Sequence, residues 1–496
     1  MARPQDGGTA VPDDGRPLVL DGRRVLVAGL GVTGRAVVAV LAERGAVVTT
    51  LDERAVDADV ADPAEVDLGS VDLVIASPGW PPAHPLLAGA AARGVPTWSE
   101  VELAWRLRVD RASGGGPAPW LVVTGTNGKT TTVGMLASIL TAAGHVAPAV
   151  GNVGTPVVTA ATDPSVDVLA VELSSFQLHF TRSMSAHAAA ILNIAPDHLD
   201  WHGGMDGYVA DKARVYERAV LACVYDAGDR RLERLVEDAD VVEGARAVAF
   251  TRGAPGPGQL GVVGGFLVDR AFHAPFDHPD RTGTAAELAT LDDLAHLAGP
   301  TGVVAPHVVT NALAAAALAR AWGVPAVAVR DGLRAFTSGD HRSVVVRELD
   351  GVAYVDDSKA TNAHAVAASL AAYPDGTVVW LAGGLAKGAR FEDLVAARAE
   401  RLRAAVLIGV DATPWESALA RHAPGIPVVR VDPTETGTVM TRAVDTARRL
   451  ARPGDTVLLA PASASMDQFV SYADRGERFA AAVRALDEGG PSGPPA

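Results

Sequence analysis

Short apolar runs recur along the chain, and each is followed by a polar or glycine-rich turn and then by a stretch with the composition of a helix. This alternation predicts an α/β protein with mostly parallel, doubly wound sheets. The runs that we predict as strands are residues 24–28, 47–51, 73–76, 95–98, 120–123, 166–171, 188–192, 352–355, 378–381, 405–408, 428–429 and 457–459. Helices are predicted up to residue 44 and at residues 132–143, 207–218 and 311–321.

The length of 496 residues suits about three domains of ~150 residues each. We predict a first domain over residues 18–112, a central domain over 113–340 and a C-terminal domain over 341–487. The polar, glycine- and proline-rich ends, residues 1–17 and 488–496, are predicted to be disordered tails. Residues 112–117 have the composition of a linker, and residues 254–283 that of hairpins or a poorly ordered insertion.

Composition and charge narrow the function classes. The formal net charge is −15 and the cations are scattered, which argues against nucleic-acid binding. No apolar stretch approaches the ~20 residues of a membrane helix, so no membrane insertion is expected. The start of the chain has no apolar signal core, and Cys223 is the only cysteine. We therefore predict a cytoplasmic protein.

The strongest candidate for chemistry is the turn after the strand at 120–123. It contains Gly125, Thr126, Asn127, Gly128, Lys129, Thr130 and Thr131. A strand, a glycine-rich turn and a helix present backbone N–H groups to a phosphate chain, a lysine adds positive charge, and a hydroxyl can bind Mg²⁺. Val123 stands where the general phosphate-loop pattern has its first glycine. The alternative is an ordinary glycine turn, but the context favours ATP or GTP binding.

The first domain carries a second glycine-rich turn. Residues 29–34 follow a strand with the spacing GxGxxG, and Asp52 ends the next strand about twenty residues later. This βαβ pattern is typical of a nucleotide or dinucleotide site.

Polar side chains also follow later strands of the central domain. Glu172 ends the strand at 166–171, where a Mg²⁺ ligand is expected, although it could instead be the acid that begins a helix. His198 lies beside Asp197 after the next strand, which favours a metal or phosphate contact over a structural histidine. Lys212 falls in a predicted helix, and on these grounds alone it would be a solvated surface charge.

The third domain has three turns of the same kind, at residues 356–362, 383–388 and 460–469. Each could be a simple capping motif. Because parallel strands place their carboxyl ends at one sheet edge, three such turns together predict a second substrate site.

Taken together, these motifs resemble the bacterial Mur ligase family, and in particular its D-glutamate-adding branch. The resemblance covers about residues 24–486. Its motifs are residues 29–34, 124–131, 151–154, 172–178, 197–200, 357–362 and 463–469. The strings at 172–178 and 357–362 are the most characteristic of that branch.

The resemblance implies three domains: a Rossmann-like domain that binds the UDP end of the substrate, a central P-loop ATPase-like domain, and a C-terminal Rossmann-like domain that binds the amino acid. The UDP-substrate site would comprise Gly31, Val32, Thr33, Asp52, Ser77, Pro78, Gly79 and Asn152. The ATP site would comprise the loop residues 125–131 with His307, Asn311, Arg342, Asp357 and Lys359. The D-glutamate site would comprise Thr361, Lys387, Ser465 and Tyr472.

The resemblance also implies the catalytic chemistry. Lys129, His198 and Lys212 would be catalytic, with Lys212 carbamylated, and two Mg²⁺ ions would be held by Thr130, Glu172, His198 and Lys212. This carry-over reverses the surface position expected for Lys212 from its helix alone. Val308 stands where family members usually have a second asparagine after the histidine.

The implied reaction is ATP-dependent addition of D-glutamate to UDP-N-acetylmuramoyl-L-alanine through an acyl phosphate, in peptidoglycan precursor synthesis, by a monomer. One alternative is a ligase of the same family that adds a different amino acid; the Asp-Asn-Pro-Arg string of the diaminopimelate-adding enzyme is absent. A folylpolyglutamate synthetase would lack the first domain. From other classes, the turn at 29–34 with Asp52 allows a nicotinamide-dependent oxidoreductase, and a non-catalytic nucleotide-binding regulator is also possible.

Overall fold

The computed structural model describes residues 18–275, 277–299, 302–337, 339 and 341–487. The predicted tails, 1–17 and 488–496, lie outside the described residues. The chain divides into two compact units: the first extends to Asp293 and includes Thr310–Phe336, and the second comprises Leu294–Val309 and the chain from Thr337 onward.

The first unit begins with a four-stranded parallel sheet in the order β2-β1-β3-β4. Its strands are β1 (Arg24–Ala28), β2 (Val47–Leu51), β3 (Leu73–Ala76) and β4 (Thr97–Trp98), and its helices are α1 (Val32–Glu43), α2 (Pro85–Ala92) and α3 (Glu100–Leu107). The βαβ unit predicted around the glycine turn is thus present, while the strand predicted from residue 95 is shorter than expected. Gly34 is required where α1 approaches the turn, because a Cβ there would lie 1.9 Å from the carbonyl oxygen of Gly29.

The same unit contains a nine-stranded sheet in the order β13-β12-β11-β10-β9-β8-β5-β7-β6. Its strands are β5 (Trp120–Thr124), β6 (Ala149–Gly151), β7 (Leu169–Glu172), β8 (Ala188–Ile191), β9 (Ala222–Asp226), β10 (Arg246–Phe250), β11 (Gln259–Val263), β12 (Phe266–Asp269) and β13 (Ala286–Thr290). The helices around it are α4 (Lys129–Ala142), α5 (Val157–Ala161), α6 (Ser175–His179), α7 (Leu199–His202), α8 (Met205–Ala213), α9 (Arg230–Glu237), α10 (Pro306–Ala321) and α11 (Ala326–Ala335); α10 begins in the second unit. The sheet is parallel from β6 to β11, and β12 and β13 add antiparallel edge strands.

The glycine-rich segment at 254–283 contributes to this sheet. The turn Gly264-Gly265 has positive φ at both residues, which suits a tight β-hairpin, and it joins β11 to β12. A hairpin, one of the two structures predicted for this segment, therefore forms over residues 259–269.

The second unit has a six-stranded sheet in the order β14-β15-β19-β16-β17-β18, parallel except for the edge pair β14 and β15. Its strands are β14 (Val344–Leu349), β15 (Val352–Asp356), β16 (Val378–Gly383), β17 (Leu402–Ile408), β18 (Val428–Arg430) and β19 (Thr456–Leu459). Its helices are α12 (Ala363–Leu370), α13 (Glu392–Arg398), α14 (Thr413–His422), α15 (Val439–Leu450) and α16 (Tyr472–Arg484). Three apolar strands at its centre, β15, β16 and β19, are almost fully buried and supply the core.

Helix α3 explains why the first unit contains two sheets. The Ser99 hydroxyl lies 2.8 Å from that of Thr181, and the buried Glu100 accepts a hydrogen bond from the backbone N–H of Val158 at 2.6 Å. Glu102, also buried, accepts from the hydroxyl of Ser183 at 2.7 Å. The helix that follows the four-stranded sheet is therefore hydrogen-bonded to segments that connect strands of the nine-stranded sheet. The predicted domain boundaries themselves stay predictions.

Residues 112–117, predicted as a linker, form a turn closed by the Arg111 side chain, which donates to the carbonyl oxygens of Gly115 and Gly116. No helix within the described residues combines the length and the apolar character that crossing a bilayer requires.

Candidate active site

The phosphate-loop sequence forms the turn between β5 and α4. Gly128 is the N-cap of α4 and has φ +84°, a left-handed conformation that glycine adopts without strain. The helix begins at Lys129, three residues before the predicted start, so Lys129 and Thr130 occupy its first turn. The Lys129 ammonium lies over the loop and donates to the carbonyl oxygens of Gly125 and Thr126, at 3.0 and 2.9 Å. Backbone N–H groups and a cation thus meet at one point, as anion binding requires.

Neighbouring segments hold this loop in place. The Asn193 side chain accepts from the backbone N–H of Asn127 at 2.9 Å and donates to its carbonyl oxygen at 3.0 Å. The Thr126 hydroxyl lies 2.9 Å from that of Tyr208. Asn311 of α10 packs directly on the loop, because a Cβ on Gly128 would lie 2.5 Å from its Oδ1 atom. Three segments distant in sequence, which carry Asn193, Tyr208 and Asn311, therefore hold the loop in place.

Glu172 is the last residue of β7, which pairs with β5. Its Oε1 atom accepts from the Asn152 side chain at 2.9 Å, while Oε2 is buried without a hydrogen-bond partner among the described residues. The helix-start alternative does not apply, because Ser174 caps α6 in a capping box with Gln177. A buried carboxylate oxygen without a partner is costly, so this position suits a bound cation.

Lys212 is only 2% exposed, so the surface position that its helix alone indicated is wrong. Its Nζ atom donates to the carbonyl oxygen of Gly125 at 2.8 Å and lies 4.7 Å from the ring centre of Tyr208. Burial, and then the charge of Lys129, lower the pKa of Lys212 well below its usual value, against the opposing charges of Asp197 and Glu172. Tyr208 lies one helical turn before Lys212 and was missed by sequence reasoning.

His198 precedes α7 and has φ +52°. Its Nε2 atom lies 3.5 Å from Asp197, and its ring centre 4.7 Å from that of Phe176. The described residues contain no group of three or more His, Cys, Asp or Glu side chains suited to a metal ion. The predicted donors are instead one each of hydroxyl, carboxylate, imidazole and modified lysine.

A second group missed from the sequence lies beside Lys212. Asp211 accepts from the Nδ1 atoms of His179 and His202, at 2.9 and 2.7 Å. Burial acts to raise the pKa of Asp211, but the hydrogen bonds from the two histidines outweigh it and hold the pKa at about 2. Asp211 adjoins Lys212 in the sequence, but nothing in the pattern pairs it with two distant histidines.

In the first domain, the predicted UDP-substrate residues follow β1 and β3. Val32 is 78% exposed, and Gly31 and Gly79 are also exposed. The Asp52 carboxylate accepts from the backbone N–H of Leu30 at 2.7 Å, and this bond lowers its pKa. Three more of the predicted residues, Thr33, Ser77 and Pro78, line one pocket together with Glu100 and Gln177.

In the second unit, the three predicted turns follow β15, β16 and β19, which are neighbours in the sheet. Leu385 and Ala464 form a bridge between two of the turns, and Lys359 lies 5.1 Å from the ring centre of Tyr472. Asp357 is buried, which raises its pKa to about 6. The remaining predicted residues are the half-buried Arg342 and Thr361, the buried Ser465 and the exposed Lys387. His307 is on the exposed side of α10.

Arg475 of α16 joins these turns and was not predicted. It is 0% exposed and donates to the hydroxyl and carbonyl oxygens of Ser358, at 3.0 and 2.9 Å, and to the carbonyl oxygen of Ser463 at 3.1 Å. Burial lowers its pKa to about 10 despite the nearby Asp467 and Asp356. Its position, three residues after Tyr472, was the available signal.

Residue type carries a further signal. The chain has 43 lysines and arginines, of which only four are lysines, at positions 129, 212, 359 and 387. All four are among the predicted site residues. Arginine therefore supplies the cations everywhere else in the chain.

Sequence comparisons match three parts of the chain to Mur ligase domains. The Mur ligase MurD-like N-terminal domain matches residues 23–99, the Mur ligase middle domain residues 123–319, and the Mur ligase glutamate ligase domain residues 341–463.

Two curated relatives are similar over nearly their whole length. A protein of Streptomyces coelicolor is 57% identical over 485 residues, 95% of this chain and 99% of the relative. One of Thermobifida fusca is 52% identical over 94% of this chain and 99% of the relative. Both are named UDP-N-acetylmuramoylalanine--D-glutamate ligase.

Solved structures show the same fold at low identity. A pseudomurein peptide ligase type C from Methanothermus fervidus has a TM-score of 0.56 at 17% identity, covering 93% of this chain and 99% of that one. UDP-N-acetylmuramate-alanine ligase from Thermotoga maritima has a TM-score of 0.52 at 18% identity, covering 93% and 99%. The family and the three-domain α/β fold predicted from the sequence are confirmed: this chain belongs to the Mur ligase family.

Proposed function

We propose that this protein is an ATP-dependent ligase that joins D-glutamate to UDP-N-acetylmuramoyl-L-alanine in peptidoglycan precursor synthesis. The observation that carries the proposal is the 57% identity, over 95% of this chain, to a relative named for that reaction. The phosphate loop before α4, with Lys129 lying over it, supports the use of ATP. The reaction belongs in the cytoplasm, where both ATP and the precursor are available, and we propose that a monomer carries it out.

The chemistry follows from the poor leaving ability of a carboxylate oxygen. The substrate's alanyl carboxylate attacks the γ-phosphoryl group of ATP to give an acyl phosphate and ADP. The neutral amine of D-glutamate then attacks the acyl carbon, and the tetrahedral intermediate loses phosphate to leave the amide. Lys129 and the N–H groups at the start of α4 stabilise the phosphoryl charge during the first step.

The site is suited to Mg²⁺. The buried Oε2 atom of Glu172 has no hydrogen-bond partner among the described residues and supplies a carboxylate ligand. Thr130, Glu172, His198 and a carbamylated Lys212 would hold two ions, which when bound would neutralise phosphate charge. Burial of Lys212 disfavours its ammonium form, and a carbamate forms only from the neutral amine.

The UDP-linked substrate, D-glutamate and ATP each have their own set of binding residues in this proposal. The UDP end is bound by the first domain, through Gly31, Val32, Thr33, Asp52, Ser77, Pro78 and Gly79, and Asn152 contacts the substrate from the central domain. D-Glutamate is bound by Thr361, Lys387, Ser465 and Tyr472. ATP contacts come from residues 125–131, His307, Asn311, Arg342, Asp357 and Lys359.

The decisive experiment is mass analysis of the product after incubation of the full chain with ATP, Mg²⁺, UDP-N-acetylmuramoyl-L-alanine and D-glutamate. The product should gain the mass of one glutamyl residue, with one ADP released for each amide formed. Replacing D-glutamate by L-alanine, L-lysine or diaminopimelate should stop product formation. Efficient use of any of these three would assign a different step, and no ADP release with all substrates present would refute the proposal.

A further inference from the structure

A buried carboxylate connects three short helices next to the phosphate loop. Asp211 of α8 is 5% exposed and accepts from His179, at the end of α6, and from His202, at the end of α7. The Ser175 hydroxyl, at the start of α6, lies 2.9 Å from the other ring nitrogen of His202. Arg214 approaches the same carboxylate at 3.4 Å. Asp211 is thus the common acceptor of α6 and α7.

Each of the three helices contains one proposed metal donor or begins within three residues of one. Helix α6 begins three residues after Glu172, α7 begins directly after His198, and α8 carries Lys212 next to Asp211. The carboxylate therefore joins the three backbone segments on which these donors lie.

An aromatic contact extends this connection to His198. The Phe176 ring is stacked on that of His202, with 2° between the ring planes, and its centre is 4.7 Å from that of His198. A shift of His202 would therefore be transmitted to His198 through Phe176.

We propose that Asp211, with His179 and His202, is a positioning residue for the divalent metal: it fixes the mutual placement of the segments bearing Glu172, His198 and Lys212. The inference rests on the proposed function, because those donors come from it. Residues that hold metal ligands in place commonly change metal affinity by about 10- to 100-fold when they are replaced.

The replacement Asp211→Asn tests this idea with almost no change of shape. An amide offers one acceptor oxygen and one NH2 donor in place of two acceptor oxygens. One of the two histidines must therefore change its tautomer to accept at Nδ1, or lose its hydrogen bond. Asp269→Asn is a matched control. Asp269 is also buried, and it accepts hydrogen bonds from Arg320 at 2.9 Å and from the backbone N–H of Ala271 at 2.7 Å. It lies on β12, which is four strands from β8 in the sheet.

Electron paramagnetic resonance measures Mn²⁺ binding by the full chain in the presence of ADP. The measurement is made well below the unfolding temperature of each variant. We expect Asp211→Asn to raise the Mn²⁺ dissociation constant about 10-fold or more, and Asp269→Asn to leave it within about twofold of the wild type. An unchanged dissociation constant in Asp211→Asn, or equal increases in both variants, would overturn the inference.

A second variant protects the test if Asp211→Asn does not fold. His179→Gln removes one of the two histidine donors at a side chain that is 25% exposed, and it should raise the same constant by a smaller factor of about three. No increase in a folded His179→Gln protein would equally contradict the idea. The proposed function is tested separately, since a wild-type protein that forms no D-glutamate-dependent ADP would refute the function whatever its Mn²⁺ affinity.

Discussion

The ammonium groups of Lys129 and Lys212 donate to the same acceptor, the carbonyl oxygen of Gly125, at 3.0 and 2.8 Å. Two cations that share one acceptor repel each other, and Lys212 is the more deeply buried. Its pKa is therefore lowered by burial and by its neighbour, which favours the neutral amine. Burial therefore distinguishes the two lysines, and the proposed carbamylation falls on Lys212, whose neutral amine is favoured.

The first prediction concerns Lys212. Replacing it with alanine should lower kcat for ADP formation by at least about 100-fold, because a metal-binding carbamate can no longer form. Added formate or acetate should restore part of the activity by supplying a carboxylate to the vacated space, whereas the wild type with the same acids should gain nothing. Full activity of Lys212→Ala without added acid would contradict the carbamate.

The second prediction concerns the loop glycine at the N-cap of α4. Gly128→Ala should destabilise the fold by about 1–2 kcal/mol through its left-handed backbone, and its Cβ would also meet Asn311 at 2.5 Å. ATP binding, measured by calorimetry, should fall as the loop shifts.

Gly144→Ala is the matched control. Gly144 has a similar φ of +88°, and its Cβ would meet nothing within 4 Å. The control should lose comparable stability and keep its ATP affinity. Equal losses of affinity in the two variants would mean that the contact with Asn311 does not matter.

The third prediction concerns Glu100, whose pKa is raised by burial from 4.5 to about 7, against hydrogen bonds from Val158 and Val157. The folded protein holds this proton more tightly than the unfolded chain does, so the stabilising contribution of Glu100 is complete below pH 4.5 and is lost as the pH rises to 7. The loss amounts to about 3 kcal/mol.

Glu100→Gln mimics the protonated acid and should abolish this loss. The unfolding free energy of the variant minus that of the wild type should rise by about 3 kcal/mol between pH 4.5 and 8, as measured by urea denaturation. Glu287→Gln, an exposed change on β13, should show a constant difference. A constant difference for Glu100→Gln as well would show that this carboxyl does not hold its proton.

The fourth prediction concerns Arg475. Arg475→Lys keeps a cation but cannot reach Ser358 and Ser463 together, so it should destabilise the protein by about 3 kcal/mol. The KM for D-glutamate should rise about 10-fold as the turns loosen, while the KM for the UDP-linked substrate should not change. Arg478→Lys, at an exposed pair with Asp474, should alter neither quantity. Equal changes in both KM values would indicate a general loss of structure.

The sequence was sufficient for features set by local pattern. Strands such as β1, β2 and β3 match the predicted runs residue for residue, because apolar runs bounded by turns determine them. The phosphate loop was recognised because its glycines, its lysine and its helix are contiguous.

Features that depend on distant partners were not accessible in this way. The burial of Lys212 depends on the loop at Gly125, 87 residues earlier, and the bonds of Arg475 to Ser358 span 117 residues. The attachment of α3 to the central domain also depends on distant acceptors and donors, including Thr181. No local periodicity encodes such pairings.

Because lysine occurs at only four positions, a reagent that modifies amines would label few side chains of this protein. An acylating ester, which ignores guanidinium groups, finds side-chain targets only at Lys129, Lys212, Lys359 and Lys387. Apart from acylation of the N-terminal α-amine, each added acyl mass would mark a proposed ligand contact. The order in which the four side-chain amines react would report their accessibility and the fraction of each that is neutral, without any engineered label.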